Sequence, residues 1–409
     1  MKDFWRLTYF EYKKLFRRRS AVIGIILVYL LSIFTCVLPI IGSHYENGAA
    51  VESKYESLKR DKAYALELTG RKFDTELIME MSEAYSHIPE GVADYSSTEE
   101  YNTYARPYSE IYRVARSGYY STQYPFTAET AANMTQDQAE DFYEVRQENM
   151  ISEMESTGAG ENEISYMLEK DSQVSKPFIF SYTDGYSSLG QFIYTAAVFL
   201  VFVIAICLAP SFSGEYASRT DQLLLTSKYG KNKLIAAKLF MGVSFSALFS
   251  LTVILIQAVI TFAIYGTEGF GAPIQMIDAL CCFDLTVGQA VILVMAFAVI
   301  ASIYTAAMTM AMSAALRSPF PVMIAMALIN FLPMIINLKG NSPYLRVMQK
   351  ILVLFPIRMC NMWDPFSSFM YGVFGNFVEP YIFMPLFALV FSVVMFPITF
   401  RKFKTRQIR

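Results

Sequence analysis

Long uncharged apolar runs alternate along this chain with short basic loops and one large polar insertion. Six runs stand out, at about 20–41, 191–211, 239–265, 286–316, 320–338 and 381–400. Runs of about 18 or more residues without charge read as membrane helices. At ~1.5 Å per residue the first run covers ~33 Å, enough for a hydrocarbon core of ~30 Å. The fourth is long enough to tilt, and Pro333 interrupts the fifth. The pattern predicts an all-α membrane protein with six transmembrane helices.

Two polar stretches carry helical patterns of their own. In residues 1–19, Trp5, Tyr9, Tyr12 and Phe16 recur at spacings of four, three and four, which places them on one helical face. Arg6, Lys13 and Arg17 lie elsewhere on the wheel. This is the signature of an interfacial helix on the cytoplasmic membrane surface; a basic flank that only fixes topology is the alternative. Between the fifth and sixth runs, the short apolar stretch at 351–355 is flanked by Lys350 and Arg358 and broken by Pro356, Pro365, Gly372 and Gly375. It is too short to cross. A re-entrant segment at about 345–378, dipping into the outer leaflet and buried against other spans, satisfies its backbone. The alternative is an interfacial loop with Trp363, Phe366, Phe369 and Tyr371 among the headgroups.

Charge adds the orientation. The formal net charge of -2 conceals a segregation: residues 42–188 hold 27 of the 36 acidic residues and 12 of the 34 basic ones. Long acidic domains do not set topology, but short basic flanks do. Lys and Arg crowd the N-terminal segment, the 212–238 loop, Arg317, and a tail with Arg401, Lys402, Lys404, Arg406 and Arg409. Six spans put all four on one side. That side is the cytoplasm, with both termini, and the acidic domain lies outside. Ser97-x-x-Glu100 and Thr135-x-x-Gln138 are capping-box patterns within it, so the domain is expected to be mostly helical. Tyr101, Tyr104, Tyr108 and Tyr112 form a stripe that reads as the packing face of a small helical domain. No Cys falls between residues 42 and 190, which excludes a disulfide scaffold there. The isolated His44 and His87 are read as non-functional.

The missing chemistry narrows the function. No G-x-x-x-x-G-K-[ST], H-E-x-x-H or G-x-S-x-G pattern occurs, and no Cys or His sits at metal-ligand spacing. The chain is expected to be no enzyme and to hold no cofactor or metal. No Asp, Glu, Lys, Arg or His lies well inside any run, which disfavours a proton- or sodium-coupled carrier. Work done by such a membrane domain comes from outside it. The sizeable cytoplasmic surface is the loop at 212–238, where charged residues surround Leu223, Leu224 and Leu225. Residues 218–225 are expected to form two helical turns at the membrane surface.

Three features resemble the permease subunits of type-2 ABC exporters: the basic aromatic helix with Tyr12-Lys13-Lys14-Leu15-Phe16-Arg17-Arg18, the run Phe212-Ser213-Gly214-Glu215-Tyr216 followed by Ser218-Arg219-Thr220 and Leu223-Leu224-Leu225-Thr226-Ser227, and the re-entrant segment before the last span. The resemblance covers the membrane part, about 260 residues, and not the outer domain. It implies that the 212–238 loop is a coupling loop docking on a separate ATPase, with Glu215, Arg219, Thr220, Leu223, Leu224 and Lys228 at the contact. Where this chain has Arg219, the family often has Gly. The resemblance further implies two ABC ATPase subunits holding ATP and Mg2+, a second permease copy or sister permease, and membrane lipid around them, with no nucleic acid. The place is a bacterial plasma (cell) membrane, and the cargo is amphiphilic or peptide-like, such as an antimicrobial peptide, a drug or a lipid. A membrane-anchored sensor or scaffold, whose outer domain binds a ligand without transport, is the competing reading.

Overall fold

The computed structural model describes residues 2–89, 91–92, 94–120, 125–336, 338 and 340–405. Arg406 and Arg409 of the basic tail lie outside these. Among the described residues, five helices are long and apolar enough to cross a membrane, at 19–40, 184–217, 233–265, 287–315 and 380–404. The fifth apolar run forms a helix of 17 residues, Pro319–Ile335. At ~1.5 Å per residue it spans ~26 Å, short of a ~30 Å core.

In chain order, helix α1 (Lys2–Phe16) has Asp3 in its first turn and Lys13 and Lys14 in its last, the arrangement its dipole favours. Helix α2 (Arg19–Val37) is the first span. The polar insertion opens with a hairpin of β1 (Ser43–Glu46) and β2 (Ala49–Ser53). Asn47 and Gly48 at its tip both have positive φ, as a two-residue turn requires. Then come α3 (Lys54–Leu68), α4 (Thr75–Ser86), α5 (Ser109–Tyr119), α6 (Ala128–Ala132), α7 (Gln136–Glu140), α8 (Phe142–Ser156) and α9 (Glu161–Asp171). The expected box at Thr135 and Gln138 caps α7. At the other, Thr98 rather than Ser97 accepts from the Tyr101 N–H. The tyrosines of 101–112 divide: Tyr112 is buried and stacks on Tyr85, whereas Tyr104 is exposed and stacks on His87.

The second membrane helix runs through α10 (Asp184–Leu208) into α11 (Pro210–Ala217). A short helix α12 (Asp221–Thr226) follows, then α13 (Lys233–Tyr265), α14 (Val287–Ala315) and α15 (Pro319–Ile335). The second and third membrane helices therefore start or end several residues beyond their apolar runs. Helices α16 (Pro343–Val353) and α17 (Pro356–Met359) precede a hairpin of β3 (Tyr371–Val373) and β4 (Asn376–Val378), and α18 (Pro380–Lys404) ends the fold. Leu354 and Phe355 separate α16 from α17, so the segment expected at 345–378 is a broken helix plus a β-hairpin.

Helix α14 is central, packed against α18, α10, α13 and α15. One apolar core runs unbroken from the polar insertion (Phe73, Leu77, Phe142, Phe178) through Cys281 and Phe283 to Met384 and Ala388 of α18. A second core at the opposite end joins Leu15 of α1, Ala21 and Val28 of α2, Phe212, Leu225, Ile235 and Phe403. Ions fasten the outer domain. Arg146, fully buried, pairs with Asp171 at 2.7 Å and donates to the carbonyls of Ala279 and Cys281 in the loop before α14. Arg346 of α16 makes a two-pronged pair with Glu163 at 3.0 and 2.9 Å, and Lys350 joins it at 2.9 Å. Lys170 holds Glu379, at the start of α18, at 2.8 Å. Burial pushes the Glu163 and Asp171 carboxyls up. Arg346 and Arg146 outweigh that, so both sit below the usual carboxylate range.

Candidate functional site

The segment between the second and third membrane helices forms an elbow built in three steps. First, Pro210 lacks an N–H and interrupts the helical ladder where α10 meets α11. Ser313 of α14 fills the gap: its Oγ accepts from the Phe212 and Ser213 N–H groups, both at 3.0 Å, and donates to the Ala209 carbonyl at 2.5 Å. Tyr216 donates to the Ala314 carbonyl, and the Phe212 and Tyr216 rings pack on Phe403 of α18.

Second, α11 ends in a Schellman turn. The Arg219 N–H bonds the Tyr216 carbonyl and the Thr220 N–H bonds the Glu215 carbonyl. Arg219 holds φ +55, the left-handed region that only glycine occupies without strain. Third, α12 places its three leucines differently. Leu225 is buried in the inner core, Leu224 is half-buried, and Leu223 is 74% exposed. The chain then turns back at Gly230, where a Cβ would lie 1.6 Å from the Leu224 carbonyl oxygen, so glycine is required. Tyr229 lies under the ammonium groups of Lys233 and Lys228, 4.5 and 5.4 Å from its ring centre.

Beneath the elbow lies a buried network of charges. Lys238 of α13 is 0% exposed. Its Nζ donates to Glu215 Oε1 at 2.6 Å, Glu11 Oε2 at 3.0 Å and the Ser211 carbonyl at 2.9 Å, which uses all three ammonium protons. Lys14 reaches the same Glu215 oxygen at 2.8 Å. Two lysines and two glutamates thus tie α1, α11 and α13 into one unit with no net charge. Asp3 and Lys233 add a further α1–α13 pair at 3.2 Å.

Of the residues expected at a docking surface, Arg219, Thr220, Leu223 and Lys228 are exposed on the elbow, and Leu224 is half-covered. Glu215 is 4% exposed and is engaged inside the chain, below that surface. Sequence reasoning passed over Glu11. The signal was there: Asp3 and Glu11 are the acids of an otherwise basic segment, and each meets a lysine of α13.

The profile of the ABC-2 family transporter proteins matches residues 11–407. This chain belongs to the ABC-2 transporter family. No curated protein and no solved structure matches it. The match takes in Glu11, the elbow and also the outer domain, which the resemblance read from motifs left out. An ABC-2 protein is the membrane-spanning subunit of a transporter, and the family implies association with an ABC ATPase.

Proposed function

We propose that the chain is the permease subunit of an ATP-driven exporter, worked by a separate ATPase that grips the elbow at 218–232. The observation that carries this reading is Leu223, a large apolar side chain 74% exposed on a short helix, with exposed Arg219 before it in the chain and exposed Lys228 and Lys231 after it. Rigid anchoring beneath it supports the same reading. A push on α12 reaches α13 through the backbone, α1 through Lys238 and Glu11, and α14 through Ser313. Displacement at the surface is thereby shared by three membrane-side helices at once.

In this scheme six crossings place both termini and the elbow in the cytoplasm, with α15 as a short fifth crossing. Helices α16 and α17 form the re-entrant segment, and the acidic domain stands outside. Two ATPase subunits binding ATP and Mg2+ serve two permeases, identical or sister chains. Arg219, Thr220, Leu223, Leu224 and Lys228 form the contact, and Glu215 sets its position from below. The cargo is amphiphilic or peptide-like.

Purification of the full chain with its neighbouring gene products tests this. An ATPase is expected to co-purify, and Leu223→Asp is expected to weaken its retention at least about tenfold, since a charge buried in an apolar hollow costs more than about 1.4 kcal/mol. Recovery of the wild-type chain with no ATPase would favour a sensor or scaffold instead.

A further inference from the structure

Helix α1 presents three distinct arcs. At about 100° per residue, Phe4, Thr8, Glu11 and Leu15 fall together and face α13 and the inner core. Trp5, Tyr9, Tyr12 and Phe16 occupy the next arc. Lys2, Arg6 and Lys13 occupy the one beyond, and Arg17, in the turn that continues the helix, extends it. All four of these cations are exposed, and none makes an ion pair among the described residues. Lys14, on another side, is the lysine of α1 committed to Glu215.

The aromatic arc continues a surface already defined. Phe240, Leu248, Leu251, Leu255 and Val259 of α13 are exposed along one face at helical spacing, the face such a helix turns to hydrocarbon. Trp5 meets Phe240 edge-on with ring centres 5.5 Å apart, and Phe16 meets Phe245 at 6.3 Å. The aromatic arc of α1 therefore lies at the end of the lipid-facing stripe, and the cationic arc lies just outside it. Four unpaired cations beside a row of aromatics complement a layer of phosphates above acyl chains.

We infer that this face of α1 binds anionic phospholipid, with Trp5, Tyr9 and Phe16 at the glycerol level and Lys2, Arg6, Lys13 and Arg17 on the phosphates. Through Glu11 and Lys14, the same helix holds Glu215 under the elbow, so the lipid surface sets where the elbow stands. This inference stands apart from the transport reading.

The chain has two tryptophans, Trp5 and Trp363, so Trp363→Phe leaves Trp5 as the sole reporter. The full-length variant is placed in vesicles of equal parts phosphatidylcholine and phosphatidylglycerol, with one or the other brominated near the glycerol end of its chains. Brominated phosphatidylglycerol is expected to quench Trp5 at least about twofold more than brominated phosphatidylcholine. The preference is expected to vanish when Lys2, Arg6, Lys13 and Arg17 are all replaced by Gln. In the chain that keeps its four cations, it is expected to shrink as salt rises towards about 1 M. Equal quenching by the two lipids would overturn the inference, and so would absence of quenching by either. Trp5→Phe, which leaves Trp363 alone, controls for signal from the outer segment.

Discussion

The two ends of the molecule both bury ion pairs, yet they use them for opposite purposes. At the end that carries the polar insertion, Arg146 combines a carboxylate with two backbone carbonyls, and Arg346 combines a carboxylate with one. The apolar core passes through that joint without a break. At the opposite end, Lys238, Glu215 and Glu11 fasten three helices together just beneath the elbow, from which Leu223 projects. A buried pair adds little net stability over apolar residues of the same shape, but breaking one partner is costly because the other charge is stranded. One arrangement makes the outer domain and membrane helices a single body. The other ties α1, α11 and α13 into one unit beneath the elbow.

The largest effect is expected at the outer joint. Arg146→Ala leaves Asp171 with Lys176 as its remaining partner, at 2.6 Å, and releases two carbonyls, and thermal unfolding should show a loss of about 3 kcal/mol. Lys238→Ala should cost about as much or slightly less, since Lys14 stays beside Glu215. Lys238→Met with Glu215→Gln should recover most of that loss, giving a coupling of about 1–3 kcal/mol in a double-mutant cycle. If the double variant is no better than Lys238→Ala, the pair is not the unit described here.

Acid separates the ends further. The Glu163 and Asp171 carboxyls are held below the usual range in the folded chain, so the stability they contribute is present above about pH 4 and is lost as pH falls through their lowered values. Proteolysis of the outer domain should rise below that pH in wild type and be raised at pH 7 in Arg346→Ala. The smallest effect is at Arg219. Arg219→Gly relieves the positive φ and should raise stability by about 0.5–1 kcal/mol. If ATPase association falls at the same time, Arg219 trades strain for contact.

Much of this fold is legible in the chain because lipid forbids stranded charge, so uninterrupted apolar runs mark the membrane helices directly. What the runs hide is the polar extension of those helices. Asp184, Lys233 and Lys238 look like loop residues, but Arg113, Asp3 and the two glutamates answer them in space. Asp3 and Glu11 each lie more than 200 residues from the lysine they meet, and only the folded chain brings them together. The elbow's residues were readable as a motif, whereas their division into exposed Leu223 and buried Glu215 was not, because it depends on where α1 packs. The hairpin of β1 and β2 went unread in the expectation of a mostly helical domain, although Asn47-Gly48 is a strong two-residue turn signal.

The central claim is that the elbow faces the cytoplasm and is gripped there by an ATPase. All five native cysteines are buried, so a thiol introduced by Leu223→Cys should dominate labelling by a membrane-impermeant maleimide. The account predicts no labelling in intact cells, labelling in inside-out membranes, and protection there when the ATPase is bound. Labelling of Leu223→Cys from outside intact cells would contradict it.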